Sequence, residues 1–450
     1  MMRTYPLVSA LAARRSRRFA KGASLDGGPL TYQSTAAPEP LTLDEEAALV
    51  FAACGITGAA LGELPYGAGA DPESGCGNII VHLIGRTIPS GDSLHSVMLF
   101  VLNDEGTWLI RRPQELPPDQ VTFMIAALAD CRFVEMYERS RVRIQPHRAT
   151  IDRKVPLVPP FNLWDANLPG TTYFIPVVEL TALYINVLLT AFGPELGYYV
   201  VDDRAGFRPA GIRPFARSRG GHLHDDPKGG RILPLGYLET SLAAFAASEV
   251  GAMHQNLALM AEALGLGGFT HACRHPDWLK ALGFDMKSLR FTRTIGSGKM
   301  AQLGARALGW PDPLVDIPVG LRHPDRDDDW LVKSFAPPHY RNMKEAVMAF
   351  VDYKFAANSG TLTGGMAGAW RDSIAVRSQI PKYSQRAIDA TIALCEYVYE
   401  RYGRFPATLS PFENILAYQA HHLDLDFYDT FYHPEAIGET QRRHRHGGDR

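Results

Sequence analysis

The chain has 450 residues, is 46% hydrophobic and 21% charged, and carries a formal net charge of -2 at pH 7. That balance belongs to a globular protein of two or three structural units, and it excludes any whole-chain attraction to nucleic acid or to an anionic membrane. Five cysteines, scattered and without a CxxC pair, argue against a disulfide framework and for a reducing, cytoplasmic setting.

Leu7, Leu11 and Phe19 recur at approximate helical spacing, so the basic cluster Arg14, Arg15, Arg17, Arg18 and Lys21 around Ser16 falls on or just after a first helix. Taken alone, this cluster reads as a solvated flank, a transit signal or a cradle for a phosphate. No apolar stretch follows it, so a secretory signal is not expected. "PLTLDEEAALVFAACGITG", from Pro40, offers Thr42 or Asp44 as a cap, acids in the first turn, an apolar run and a glycine stop, which predicts a second helix. "GNIIVHLIG" and "SVMLFVLNDEGTWLIRRP" predict strands, the latter a hairpin turning at "NDEG". Helices follow over 117–140 and 179–192, then a strand at "GYYVVDD" and a glycine-rich surface loop over 216–231. A long buried helix from "PLGYLETSL" ends in the glycines of "ALGLGG". The longest apolar run, "LTALYINVLLTAFG", is too short to span a bilayer, and no membrane association is expected. The charged stretch at 322–330 marks a boundary. Beyond it, "NMKEAVMAFVDYKFAAN", "YSQRAIDATIALCEYVYERYG" and "SPFENILAYQAHHLDLDFYDTFYH" read as helices.

Strands mixed with long helices imply an α+β layer fold. The expected division is a first unit over 1–335 and a mainly helical C-terminal extension over 336–450. There is no GxGxxG after a strand and no GxSxG elbow, so neither a Rossmann nicotinamide domain nor a Ser-His-Asp hydrolase is indicated. His421, His422, Asp424, Asp426, Tyr428 and His433 fit no metal-ligand spacing, and no metal ligand is expected among them. Gln255 and Asn256 on an otherwise apolar helix read as buried structural amides.

Four segments, in order, resemble the nitroreductase-like FMN flavoprotein family, and in particular its branch of azoline dehydrogenases. They are "ARRSRRFAKG", "PLTLDEEAALVFAACGITG", "GRTIPSGDSLHSVMLFVL" and "GAMHQNLALMAEALGLGG". The resemblance implies a nitroreductase-like fold, a central antiparallel sheet flanked by helices. It further implies a homodimer binding FMN at the subunit interface. By the same resemblance Arg14, Arg15, Ser16 and Arg18 hold the phosphate and ribityl chain, Arg86, Pro89, Ser90 and Gly91 contact the flavin, and Gly267 and Gly268 offer backbone to its N5 edge. Guanidinium forks suit a phosphate dianion because each supplies two charge-assisted hydrogen bonds at fixed geometry. Arg17 and Lys21 are left as the solvated remainder.

The implied activity is hydride transfer through flavin N5 between NAD(P)H, or another donor, and a small organic substrate. Two alternatives stand beside it: a redox-inactive binding or scaffold protein whose C-terminal helices fill the flavin crevice or recruit a partner, motivated by the insertions at 140–175 and 205–235, and a flavin dehydrogenase acting on a peptide or biosynthetic intermediate. No catalytic side chain is assigned. His95 and Tyr66 are the candidates for a substrate-side proton donor.

Overall fold

A computed structural model describes residues 5–63, 73, 77–364 and 368–445. The first helix, α1 (Leu7–Ala13), precedes the basic segment, and α2 (Leu43–Cys54) begins where the sequence places it. Thr42 caps α2 by accepting the Glu45 N–H, while the Glu45 carboxylate accepts the Thr42 N–H in return. That reciprocal box satisfies two of the donors that a helix start leaves unpaired.

The hairpin at "NDEG" forms β1 (Val97–Asn103) and β2 (Gly106–Ile110). Helices α3 (Pro118–Ala129) and α4 (Phe133–Ser140) lead to β3 (Arg141–Gln145); β4 (Thr172–Glu179) then runs directly into α5 (Leu180–Ala191). The long helix, α6 (Leu235–Leu264), stops at Gly265, whose φ of 80° is left-handed, and feeds β5 (Gly267–Ala272). Glycine adopts that conformation without the steric cost a Cβ imposes. A separate three-stranded sheet follows: β6 (Phe284–Arg290), β7 (Leu314–His323) and β8 (Arg326–Lys333). The stretch at 322–330, expected as a boundary, is the turn of the β7–β8 hairpin.

After α7 (Met343–Phe355) and α8 (Gln385–Tyr402), the chain departs from the helical reading of "SPFENILAYQAHHLDLDFYDTFYH". It forms β9 (Phe412–Glu413) and β10 (Leu416–His421), and only then α9 (Leu425–Phe431) and α10 (Glu439–Arg445). The reason is burial on both faces. Residues 417–421 are all buried, so this strand lacks the alternation that marks a half-exposed one, and a short apolar run without period does not distinguish strand from helix. β10 lies inside the seven-stranded antiparallel sheet, paired on both sides, in the order β5-β10-β4-β1-β2-β3 with β9 beside β4.

Residues 336–450 are therefore mainly helical but not peripheral. Lys354 of α7 is fully buried and donates to the Asn78 carbonyl at 2.5 Å, Asn186 Oδ1 at 3.1 Å and the Tyr383 hydroxyl at 2.6 Å. Its ammonium thereby ties the C-terminal helices to α5. One face of the sheet packs Val97, Leu99, Val101, Phe174 and Tyr418 against α2, α5, α6 and α8. The other packs Met98, Phe100, Tyr173 and Ala417 against Leu157, Val158, Trp278 and Leu321.

A fragment ending at residue 335 is predicted not to fold, because deleting β10 leaves both β4 and β5 with an open edge inside the core. Circular dichroism of the fragment should show no cooperative thermal transition; a transition like that of the whole chain contradicts the integral role of β10.

Candidate functional site

The basic segment leaves α1 at Arg14 and runs extended past β5, meeting it in an isolated bridge where the Arg17 N–H donates to the Gly268 carbonyl at 3.3 Å. Its side chains point alternately to the two faces, as an extended chain requires. Arg17, expected as solvated remainder, is buried. Its Nη1 donates to Glu262 Oε2 at 2.8 Å and its Nε to the Ala436 carbonyl at 2.9 Å. Glu262 also accepts from Gln441 Nε2 at 3.0 Å. A carboxylate in the last turn of α6 opposes the helix dipole, and the guanidinium offsets that unfavourable charge.

On the opposite face Arg18 donates through Nε to Asp165 Oδ2 at 2.9 Å and through Nη2 to the same carboxylate and to the Phe161 carbonyl. Its guanidinium lies 4.6 Å from the Phe269 ring centroid and 5.1 Å from that of Trp164, within cation–π range. Asp165 is fully buried, and its second oxygen, Oδ1, sits 4.0 Å from His271 Nε2 with no well-aligned hydrogen bond. Nearby on the same sheet face, both amide atoms of the fully buried Gln419 also have no partner among the described residues. Unpartnered buried donors and acceptors of this kind mark a place for water or for a polar ligand.

Arg14 is half-buried; Arg15 and Ser16 are exposed. Arg15 folds back on the carbonyls of Ala12 and Arg14, and neither Arg14 nor Arg15 forms an ion pair among the described residues. Gly267 and Gly268 are buried inside β5. A Cβ at Gly268 would stand 2.2 Å from the Tyr418 hydroxyl, and one at Gly267 would stand 2.5 Å from Leu423 and 2.7 Å from His421 Nε2. Both positions demand glycine, but the space freed is filled by this chain.

Arg86, Pro89, Ser90 and Gly91 lie elsewhere. Arg86 is buried, donates to the Val97 carbonyl at 3.0 Å and approaches Glu249 at 3.9 Å. Since Glu249 and Glu262 both belong to α6, that group stands about 20 Å along the helix from the Arg17 anchor at 1.5 Å per residue. Pro89 and Gly91 are exposed, and Ser90 Oγ accepts the His95 N–H at 3.3 Å. Ser93 and His95 hold φ of 53° and 54°, a left-handed loop fixed by Asp92, which accepts from the Leu94 N–H and from Asn186. His95 is buried, its Nε2 is committed to the Ile84 carbonyl at 2.7 Å, and burial drives its pKa far down. It does not face a substrate. Tyr66 lies outside the described residues.

Asn256 behaves as a structural amide, donating to the carbonyls of Ala52 and Thr87 at 3.0 Å each. Gln255 is exposed instead of buried. A small, partly open apolar pocket lies between α2 and α3–α4, lined by Phe51, Cys54, Met124, Phe133, Met136 and Tyr137; none of the expected site residues lines it. Sequence reasoning did not find Asp165 and Glu262, which hold Arg18 and Arg17, nor His271 and Gln419, because each stands singly and far in sequence from the basic segment. Among the described residues no helix is long and apolar enough to cross a membrane.

No family model and no curated protein matches the chain. One solved structure similar to it is named as that of a "putative nitroreductase" from Ralstonia eutropha JMP134. The likeness covers 60% of this chain and 70% of that one, at 13% identity and a TM-score of 0.26. That is too slight to fix the fold.

Replacing Arg17 by Ala strands Glu262 in the core, and breaking such a buried pair costs about 3–5 kcal/mol. Urea unfolding should show a loss of that order; a loss below about 1 kcal/mol contradicts the anchoring role. Burial also pushes His254 and His271 down to about 4, against about 6.5 when unfolded. Their contribution to stability is complete above about pH 6.5 and is lost as pH falls towards 4, because the unfolded chain takes up protons first. The urea midpoint should therefore fall between pH 7 and 5, and His271→Gln should flatten that fall; an unchanged pH dependence in the variant contradicts the assignment.

Proposed function

We propose that the protein is an FMN-dependent oxidoreductase that works as a homodimer. The observation that carries this reading is the contact between the basic segment and the glycine strand. These are two stretches which the family resemblance assigns to the two ends of one flavin, and they lie side by side through the Arg17–Gly268 bridge. The residues of one chain fit the phosphate end. Arg14, Arg15 and Ser16 form an accessible cationic rim, free of carboxylate partners among the described residues.

The ring end is not complete in one chain, since Arg86, Ser90 and Gly91 stand well away from that rim. A second copy supplies them across a two-fold axis, where equivalent surfaces meet. The surface for it is available: α1 packs on α6 and leaves Leu7, Val8 and Leu11 exposed, and α6 itself exposes Tyr237 and Phe245. Bound flavin supplies hydride transfer at N5, with NAD(P)H or another donor on one side and a small organic substrate on the other. Arg14 and Arg15 bind the phosphate and Ser16 donates a neutral hydrogen bond. Arg17 positions the segment from below. Arg18, held by Asp165, fixes the 161–165 segment over β5, and Gln419 and His271 offer unpaired polar atoms to whatever enters that face.

A second reading rests on the same Arg18–Asp165 pair. It closes one of the expected phosphate ligands with a residue from the 140–175 insertion, as a binding or scaffold protein without redox chemistry requires.

Purified protein is predicted to be yellow and to release FMN on denaturation. Arg14→Ala with Arg15→Ala should weaken FMN binding by about 3–6 kcal/mol, two charge-assisted interactions at about 1.5–3 each. Colourless protein that also ignores added FMN in a fluorescence titration contradicts the oxidoreductase reading and favours the second.

A further inference from the structure

Three side chains from three distant segments meet at the sheet end, beyond the basic segment. Glu45 stands in the first turn of α2, His422 directly after β10, and His444 on α10. One ligand atom from each lies within 4.8 Å of the others. Glu45 Oε2 is 3.4 Å from His422 Nε2, and Glu45 Oε1 is 3.4 Å from His444 Nε2. Two ligand atoms of a tetrahedral zinc ion, with bonds of about 2.0–2.1 Å, stand about 3.4 Å apart.

A second, independent observation points the same way. His422 is only 4% exposed, and its Nε2 makes no well-aligned hydrogen bond. A buried ring nitrogen that faces a carboxylate oxygen at 3.4 Å without a well-aligned hydrogen bond leaves both atoms available to a shared cation. The imidazoles stack with centroids 4.9 Å apart, and His444 Nε2 contacts His422 Nδ1 at 2.9 Å. The carboxylate is oriented from behind by the Thr42 N–H at 2.7 Å and the Thr42 hydroxyl at 2.8 Å. That is the support a ligating carboxylate receives in metal sites.

We propose that Glu45, His422 and His444 bind one divalent transition-metal ion, and that zinc best matches their donors. Two borderline imidazoles with one hard carboxylate make a mixed nitrogen and oxygen set of the kind zinc binds, and three protein ligands leave a fourth position for water. Both histidines coordinate as neutral rings through Nε2, and their mutual hydrogen bond gives way to the two coordinate bonds. The ion then clasps α10 to the start of α2. Because the Lys21 N–H donates to the His422 carbonyl at 3.1 Å, it also braces the extended segment that carries the arginines.

The test uses the full chain, stripped with a chelator and titrated with zinc chloride in a calorimeter. The expected result is one ion per chain, with affinity lowered at least tenfold in His444→Ala and separately in Glu45→Gln, and unchanged in the tail control His446→Ala. Cobalt chloride should give the visible absorption of a four-coordinate nitrogen and oxygen site in the wild type and lose it in both variants. Zinc should raise the melting temperature of the wild type and leave that of His444→Ala unmoved, while the two proteins melt alike without metal. Equal zinc affinity in wild type and His444→Ala, or loss of binding in the tail control instead, overturns the proposal. Flavin content is measured separately, so failure of this site leaves the oxidoreductase reading standing.

Discussion

The buried pair between Arg17 and Glu262 is the constraint on which the rest of the candidate site depends. A guanidinium and a carboxylate, each almost fully removed from water, are tolerated only because they meet at 2.8 Å and because their remaining polar atoms find Ala436 and Gln441. The pair fixes one end of α6 to the N-terminal segment and, through Gln441, to α10. With Arg17 fixed on one face, alternation along an extended chain sends Arg18 to the other, where Asp165 receives it. The neighbouring Arg14, Arg15 and Ser16 are left at the rim.

Much of this was legible in sequence, for reasons that differ between elements. The start of α2 was legible because a capping box is local chemistry: Thr42 and Glu45 solve the same hydrogen-bond problem within one turn. The β1–β2 hairpin and the stop of α6 at Gly265 were legible on similar grounds, since a turn and a left-handed cap each demand particular residues. β10 was not, because a strand buried on both faces loses its period. The ion pairs were not, because nothing near Arg17 or Arg18 in sequence announces Glu262 or Asp165. The members of the basic cluster differ in their surroundings: Arg17 is buried on Glu262, Arg18 is held by Asp165, and Arg14, Arg15 and Ser16 stay accessible, a division set by alternation along the extended segment and invisible in composition.

The C-terminal quarter of the chain is joined closely to the rest. Residues 336–450 are rich in helix, but β10 completes the central sheet between β4 and β5, and two of the three partners of their buried Lys354, Asn78 and Asn186, precede α6 in the chain. The first 335 residues and the remainder thus share one sheet. The region around the arginines is built from both ends of the chain at once.

On the proposed reading, Arg14, Arg15 and Ser16 form the phosphate rim of a flavin site shared by two copies, anchored from below by Arg17. A crystal structure of the protein grown with FMN tests it most directly. The account predicts a two-fold dimer with the phosphate against Arg14, Arg15 and Ser16 of one copy, Arg17 still on Glu262, and Arg86 and Ser90 of the other copy at the ring. A monomer without flavin density, or flavin seated away from the basic segment, would contradict it.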